Sequence, residues 1–163
     1  MNDVYLLIGG NLGDRMAFLR QAKSLIGQSA GHITAISSIY ETSAWGMEDQ
    51  PPFYNCALQI KSNIAPETLM GILLNIETLM GRERLIKFGP RTIDIDMILY
   101  NDKIINTAIL TLPHPQMQNR RFVLQPLAEI AGNAMHPVLH KTINQLLEEC
   151  PDTLDVHKIS GSI

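Results

Sequence analysis

From Thr92 to Met97 the chain reads TIDIDM, polar and apolar residues in strict turn. Successive side chains of a strand point to opposite faces. Thr92, Asp94 and Asp96 therefore share one face, and Ile93, Ile95 and Met97 share the other. The strand needs apolar cover on one side only, and on its other side it carries two carboxylates. Adjacent carboxylates repel, and a partly buried pair is costly unless positive charge lies between them.

The rest of the chain supplies partners for such a strand. VYLLIGG (4–10) reads as a buried strand ending in glycines. Asn11 or Asp14 caps a helix over 14–28, where Met16, Leu19, Ala22, Lys23 and Ile26 recur at helical spacing. ITAISSIYETS (33–43), rich in β-branched residues, reads as one long strand, and FYNCALQIKSN (53–63) as the next. Alternation places Phe53, Asn55, Ala57 and Gln59 on one face of that strand and Tyr54, Cys56, Leu58 and Ile60 on the other. The segment 65–82 is a helix, with Pro66 in its first turn and Glu67 at the positive end of its dipole. Loops occupy 43–52 and 82–90. The order is β-α-β-β-α-β: an α+β, ferredoxin-like antiparallel sheet with helices on one face and the other face open to a ligand. Two short strand-like pieces near 103–112, a Pro-His-Pro turn at 113–115 and a C-terminal helical extension, near 118–131 and 141–149, complete a single domain over 1–163.

A formal net charge of −3 provides no overall basic field for nucleic acid or an anionic membrane. Two cysteines are too few for a disulfide scaffold, and no run approaches the length of a membrane span. The start lacks the pattern of a signal peptide. A monomeric cytoplasmic protein is expected. The cations are concentrated: five of the seven arginines are Arg82, Arg84, Arg91, Arg120 and Arg121.

Several residues admit two readings at this point. Asp94 and Asp96 fit a divalent cation such as Mg²⁺, held by one or two carboxylates plus phosphates and waters, or a solvated sheet face neutralised by Arg91. Arg82, Arg84, Lys87, Arg91 and Arg120 fit phosphate oxygens bidentately or as point charges, or else lie in solvent; for Arg121 the surface reading is preferred. His114, between two prolines, is a phosphate donor or a turn histidine. Trp45, Phe53, Phe88 and Phe122 stack on a flat heteroaromatic ring whose polar edge Asn55 reads, or Phe53 and Phe122 belong to the core. There is no Walker-type loop, no dinucleotide fingerprint and no zinc pattern.

KFGPRTIDIDMI (87–98) resembles the signature of the 6-hydroxymethyl-7,8-dihydropterin pyrophosphokinases of folate biosynthesis. LIGGNLGDR (7–15), SSIYETSAWG (37–46), DQPPFYNCAL (49–58), IETLMGRER (76–84) and LPHPQMQNRRFVLQPLAEIA (112–131) resemble further blocks of that family, in its order. The resemblance implies transfer of pyrophosphate from ATP to the pterin hydroxymethyl group, leaving AMP. It implies two Mg²⁺ ions on Asp94 and Asp96, catalytic roles for Arg82 and Arg91 beside those aspartates, and ATP contacts from Arg82, Arg84, Arg91, His114 and Arg120. It also implies a pterin site at Thr42, Ser43, Trp45, Phe53, Asn55 and Phe122, with Phe88 closing over it. The loops at 43–52 and 82–91 are expected to close on the substrates. Leu74, Ile109, Pro115 and Gln118 depart from one well-known form of the pattern, which has basic residues at the positions of Ile109 and Gln118. A non-catalytic ferredoxin-like binding module and a kinase that transfers only the γ-phosphate are the rival readings.

Overall fold

The computed structural model describes residues 1–44, 49–81, 92–159 and 162–163. In chain order these form β1 (Asn2–Gly10), α1 (Arg15–Ser29), β2 (His32–Ile36), β3 (Ile39–Thr42), β4 (Phe53–Ser62), α2 (Pro66–Leu79), β5 (Asp94–Tyr100), the short β6 (Ile105–Asn106) and β7 (Thr111–Leu112), α3 (Arg121–Ala131), α4 (Ile143–Glu149) and β8 (Val156–Ile159). One antiparallel sheet runs β5-β1-β4-β3-β8, with β2 also paired to β4. Its β5-β1-β4-β3 centre is the ferredoxin-like order. Among the described residues, no helix is long and apolar enough to cross a membrane.

Alternation decides the two faces. Val4, Leu6 and Ile8 of β1, Cys56, Leu58 and Ile60 of β4, and Ile93, Ile95 and Met97 pack with Leu19, Ala22 and Ile26 of α1 and Leu69, Leu73 and Ile76 of α2. The other face is not wholly open, as its reading from sequence had it. Leu7, Ala57, Ile98 and Leu99 form a second core with Val123, Leu124 and Leu127 of α3 and Ile143 and Leu146 of α4. The C-terminal helices thus cover part of that face and leave one end of it exposed to ligand.

Asp14, not Asn11, caps α1: its carboxylate accepts from Ala17 N at 3.1 Å. Asn11 instead donates to Gln50 Oε1 and Pro51 O, tying the β1–α1 turn to the segment before β4. The long strand read over 33–43 is two strands broken at Ser37–Ser38. There Ser37 Oγ accepts from Ala57 N at 2.9 Å, a ladder donor of β4, while Ser38 N and Oγ donate to Glu129 on α3. A side chain and a distant helix have taken the bonds that would continue the strand. The same Glu129 accepts from Tyr40 OH at 2.6 Å, so one carboxylate joins α3 to β3. Its pKa is lowered on balance: burial pushes it up, and the hydrogen bonds from Tyr40 and Ser38 outweigh that.

Candidate active site

The uncovered end of the sheet has a simple construction. One rung across four strands reads Asp94, Gly9, Asn55, Tyr40; the next reads Asp96, Leu7, Ala57. Strands lie about 4.8 Å apart, so the carboxylate of Asp94 and the amide of Asn55 spring from points roughly 10 Å apart. Between them Gly9 contributes no side chain, which leaves a flat backbone floor. The resulting cleft encloses about 510 Å³ with its open mouth included and is lined by Leu7, Gly9, Thr42, Ser43, Phe53, Asn55, Asp94, Asp96, Arg120 and Phe122.

The two ends of the cleft differ in chemistry. At one, Asp94 and Asp96 project together from β5, both half-buried, beside Arg120. At the other, Asn55 is 4% exposed, and its Nδ2 donates to Thr42 Oγ1 at 2.9 Å. That bond fixes the amide orientation and leaves one N–H and the carbonyl oxygen to meet a ligand edge. Phe53 and Phe122 supply ring faces, and the Arg120 guanidinium lies 5.8 Å from the Phe122 ring centroid. Both phenylalanines therefore line the cleft, and Phe122 also packs against the second core.

Gly9, one of the glycines that end the first strand, has a specific purpose here. A Cβ at this position would collide with Asn55 Oδ1 and meet Tyr54 O at 3.0 Å. Gly9→Ala is expected to push the Asn55 amide off Thr42. The KM for the ligand that Asn55 reads should rise roughly tenfold to a hundredfold, with affinity for the ligand at the carboxylate end changed by less than about threefold. Separate binding titrations of the two ligands check this; equal losses for both would contradict it.

His114 does not line this cleft. It stands in the 113–115 turn, held by His114 N donating to Ile98 O at 3.0 Å. Burial pushes its imidazole down to about 4, with Arg120 acting in the same direction and Asp94 opposing. Nδ1 accepts from Gln116 N at 3.2 Å, so the neutral ring carries its proton on Nε2. A histidine lowered from 6.5 to about 4 on folding binds its proton first in the unfolded chain. Its contribution to stability is complete above pH 6.5 and drains away as pH falls toward 4. Wild type should lose about 2–3 kcal/mol more than His114→Gln between pH 7 and pH 4, measured by chemical denaturation. Parallel pH curves for the two proteins would refute the assignment.

Of the other residues singled out from sequence, Arg121 lies outside the cleft; its N and Nε donate to Asp152. Trp45, Arg82, Arg84, Lys87, Phe88 and Arg91 lie outside the described residues, as does much of the two loops expected to close. Sequence reasoning passed over Leu7, which lines the cleft, and Glu77, whose carboxylate reaches the back of β5.

Residues 5–132 match the family model described as 7,8-dihydro-6-hydroxymethylpterin-pyrophosphokinase (HPPK). The chain belongs to this family. Among curated HPPK relatives, a 2-amino-4-hydroxy-6-hydroxymethyldihydropteridine pyrophosphokinase of Bacillus subtilis is 47% identical over 132 residues, covering 80% of this chain and 79% of its own. One of Aquifex aeolicus is 38% identical over 149 residues, covering 91% of this chain and 92% of its own. The crystal structure of Plasmodium falciparum HPPK-DHPS aligns with 91% of this chain at a TM-score of 0.74 and 19% identity. This chain spans 43% of that one, and the likeness is one of fold.

Proposed function

We infer that this chain transfers the pyrophosphoryl group of ATP to 6-hydroxymethyl-7,8-dihydropterin. The hydroxymethyl oxygen loses its proton to solvent and forms a bond to the β-phosphorus, the bond from that phosphorus to the α,β-bridging oxygen breaks, and AMP departs. The observation that carries the reading is the two-ended cleft of an HPPK-family chain, with carboxylates and Arg120 at one end, and the Asn55 amide with Phe53 and Phe122 at the other.

The donor set fits Mg²⁺. Asp94 and Asp96 lie on one face of β5, and among the described residues no group of three or more carboxylate, imidazole or thiol side chains could hold an ion by itself. Two carboxylates that leave the remaining positions to phosphate oxygens and water are how Mg²⁺ binds nucleotides, in contrast to the crowded all-protein cages of Ca²⁺. Asp94 and Asp96 would hold two such ions, which when bound neutralise charge on the transferring phosphates.

The chain's own side chains do the rest. Arg120, with Arg84 and the Nε2–H of His114, holds triphosphate oxygens. Arg82 and Arg91 add stabilisation as charge develops. Thr42, Ser43 and Asn55 fix the polar edge of the pterin. Trp45, Phe53, Phe88 and Phe122 take its faces.

The test is the nucleotide product. Incubated with ATP, Mg²⁺ and the pterin alcohol, the protein should release AMP. ADP would identify a γ-phosphate kinase, and no turnover a binding module. Arg82→Ala and Arg91→Ala should lower kcat by roughly a hundredfold with little change in ATP affinity; an unchanged kcat in both removes them from the mechanism.

A further inference from the structure

The aromatic end of the cleft is assembled from two separate pieces of the fold. Phe122 comes from the first turn of α3, while Thr42 ends β3 and Phe53 and Asn55 lie on β4. A flat ring between Phe122 and the sheet is held well only at one spacing. A gap widened by about 0.5–1 Å already forfeits roughly a quarter to a half of each atomic contact.

The helix holds its own first turn only in part. Its N-cap residue, Arg120, makes no side-chain capping bond, and Pro126 has no N–H to give to the Phe122 carbonyl four residues back. Two acidic residues beyond that turn supply what is missing.

The first is Asp152, which follows α4. Its Oδ2 accepts from Arg121 N at 3.0 Å, and its backbone carbonyl accepts from Arg121 Nε at 3.2 Å. Four residues on, Val156 enters β8 and pairs with Thr42. Four residues of chain span at most about 14 Å. The stretch from Asp152 to Val156 is thus a short strap between the helix turn that carries Phe122 and the strand end that carries Thr42. Leu154 N donates to Asp152 Oδ1 at 2.9 Å, which bends the strap and limits its reach further.

The second is Glu129. It stands seven residues beyond Phe122, about two turns along the same stripe of α3. Its carboxylate accepts from Tyr40 OH, Ser38 N and Ser38 Oγ at 2.6, 2.9 and 3.1 Å. Tyr40 shares a rung with Asn55, so these bonds fix the height of the helix above the strands that present Asn55 and Thr42. Neither Asp152 nor Glu129 lines the cleft.

We propose that Asp152 and Glu129 are positioning residues for the pterin: together they set the gap between Phe122 and the Thr42–Asn55 pair, and through it the affinity for the ring substrate. The inference rests on the pyrophosphokinase reading, because that reading puts the pterin at this end of the cleft.

Pterin affinity is measured by fluorescence titration with Mg²⁺ and a non-hydrolysable ATP analogue present, and affinity for the analogue is measured separately. Glu129→Ala combined with Asp152→Ala should weaken pterin binding about thirtyfold. Analogue binding should weaken less than about fivefold, since Asp94 and Asp96 are carried by β5. Glu129→Gln combined with Asp152→Asn keeps an acceptor oxygen at each link and should lose no more than about fivefold in pterin affinity. With Phe122→Ala already in place, the two alanine substitutions should change pterin affinity less than about threefold, because no ring is left to position. Unchanged pterin affinity in the alanine pair overturns the proposal. So does an equal loss of pterin and analogue, or a full further loss in the Phe122→Ala background. If the alanine pair fails to fold, Glu129→Ala and Asp152→Ala taken singly, each with and without Phe122→Ala, decide the matter by the same outcomes. Wild type that binds no pterin would instead overturn the pyrophosphokinase reading.

Discussion

Replacing Asp94 and Asp96 together with alanine is expected to reduce AMP release by at least about a thousandfold and to leave the fold intact. Preorganised charge at a reacting phosphoryl group commonly contributes a hundredfold to a thousandfold for each group removed, and here two go at once. The fold should survive because neither residue belongs to the apolar clusters that hold β5; Ile93, Ile95 and Met97 do that from the opposite face. Two carboxylates on neighbouring positions of one strand face also repel in the absence of cation. A melting temperature within about 3 °C of wild type is therefore expected. Wild type should be stabilised by Mg²⁺ with a non-hydrolysable ATP analogue, and the double variant should not. A variant that keeps this stabilisation would remove the metal from these residues whatever its turnover. A variant that has lost turnover through unfolding would show itself in the melting curve of the free protein.

The alternation that opened the sequence reading was sufficient to place those two aspartates. The face of a strand residue depends on its own neighbours in sequence, so TIDIDM carries the information locally. The same rule fails three residues later. Between Tyr5 and Leu6 the β1–β5 register shifts past Ile98, so Ile98 and Leu99 both enter the second core. A bulge is a property of the paired strands, and neither sequence announces it. The break at Ser37–Ser38 was hidden for a similar reason, since Glu129, which takes the Ser38 donors, lies 91 residues away. β8 was missed because a four-residue strand with two exposed positions, His157 and Lys158, carries too little apolar periodicity to read. The role of Gly9 depends on Asn55, which pairing of β1 with β4 places across from it. Phe53 and Phe122 show the limit in the site itself. An aromatic side chain satisfies a core and a ring-stacking cleft equally well, and Phe122 does both.

Glu77→Leu is the substitution expected to cost the fold most, about 2–4 kcal/mol, although it replaces a charge with an apolar residue of similar size in an apolar setting. Glu77 is 2% exposed on the inner face of α2, among residues that pack on the sheet. Burying a carboxylate is costly, which by itself would make leucine stabilising. One bond it makes is enough to reverse the sign: Glu77 Oε2 accepts from Ile95 N at 2.7 Å. Among the described residues β5 ends the sheet on this side, so that N–H has no further strand to meet there. Leucine would leave it buried without an acceptor, at about 1–3 kcal/mol, and would also remove the charge-assisted strength of the present bond. Glu77→Gln retains an acceptor oxygen and should lose roughly half as much. The position of the bond extends its consequence to chemistry. Ile95 is the residue between Asp94 and Asp96, so the bond holds the short stretch that aims both carboxylates. Both variants should need about fivefold to tenfold more Mg²⁺ for half-maximal turnover, with the pterin KM unchanged, because Asn55 is held from the other side by Thr42. A loss of stability with no change in the Mg²⁺ requirement would confine Glu77 to the fold. A shift in Mg²⁺ requirement that follows the order glutamate, glutamine, leucine would make it a positioning residue for the metal site.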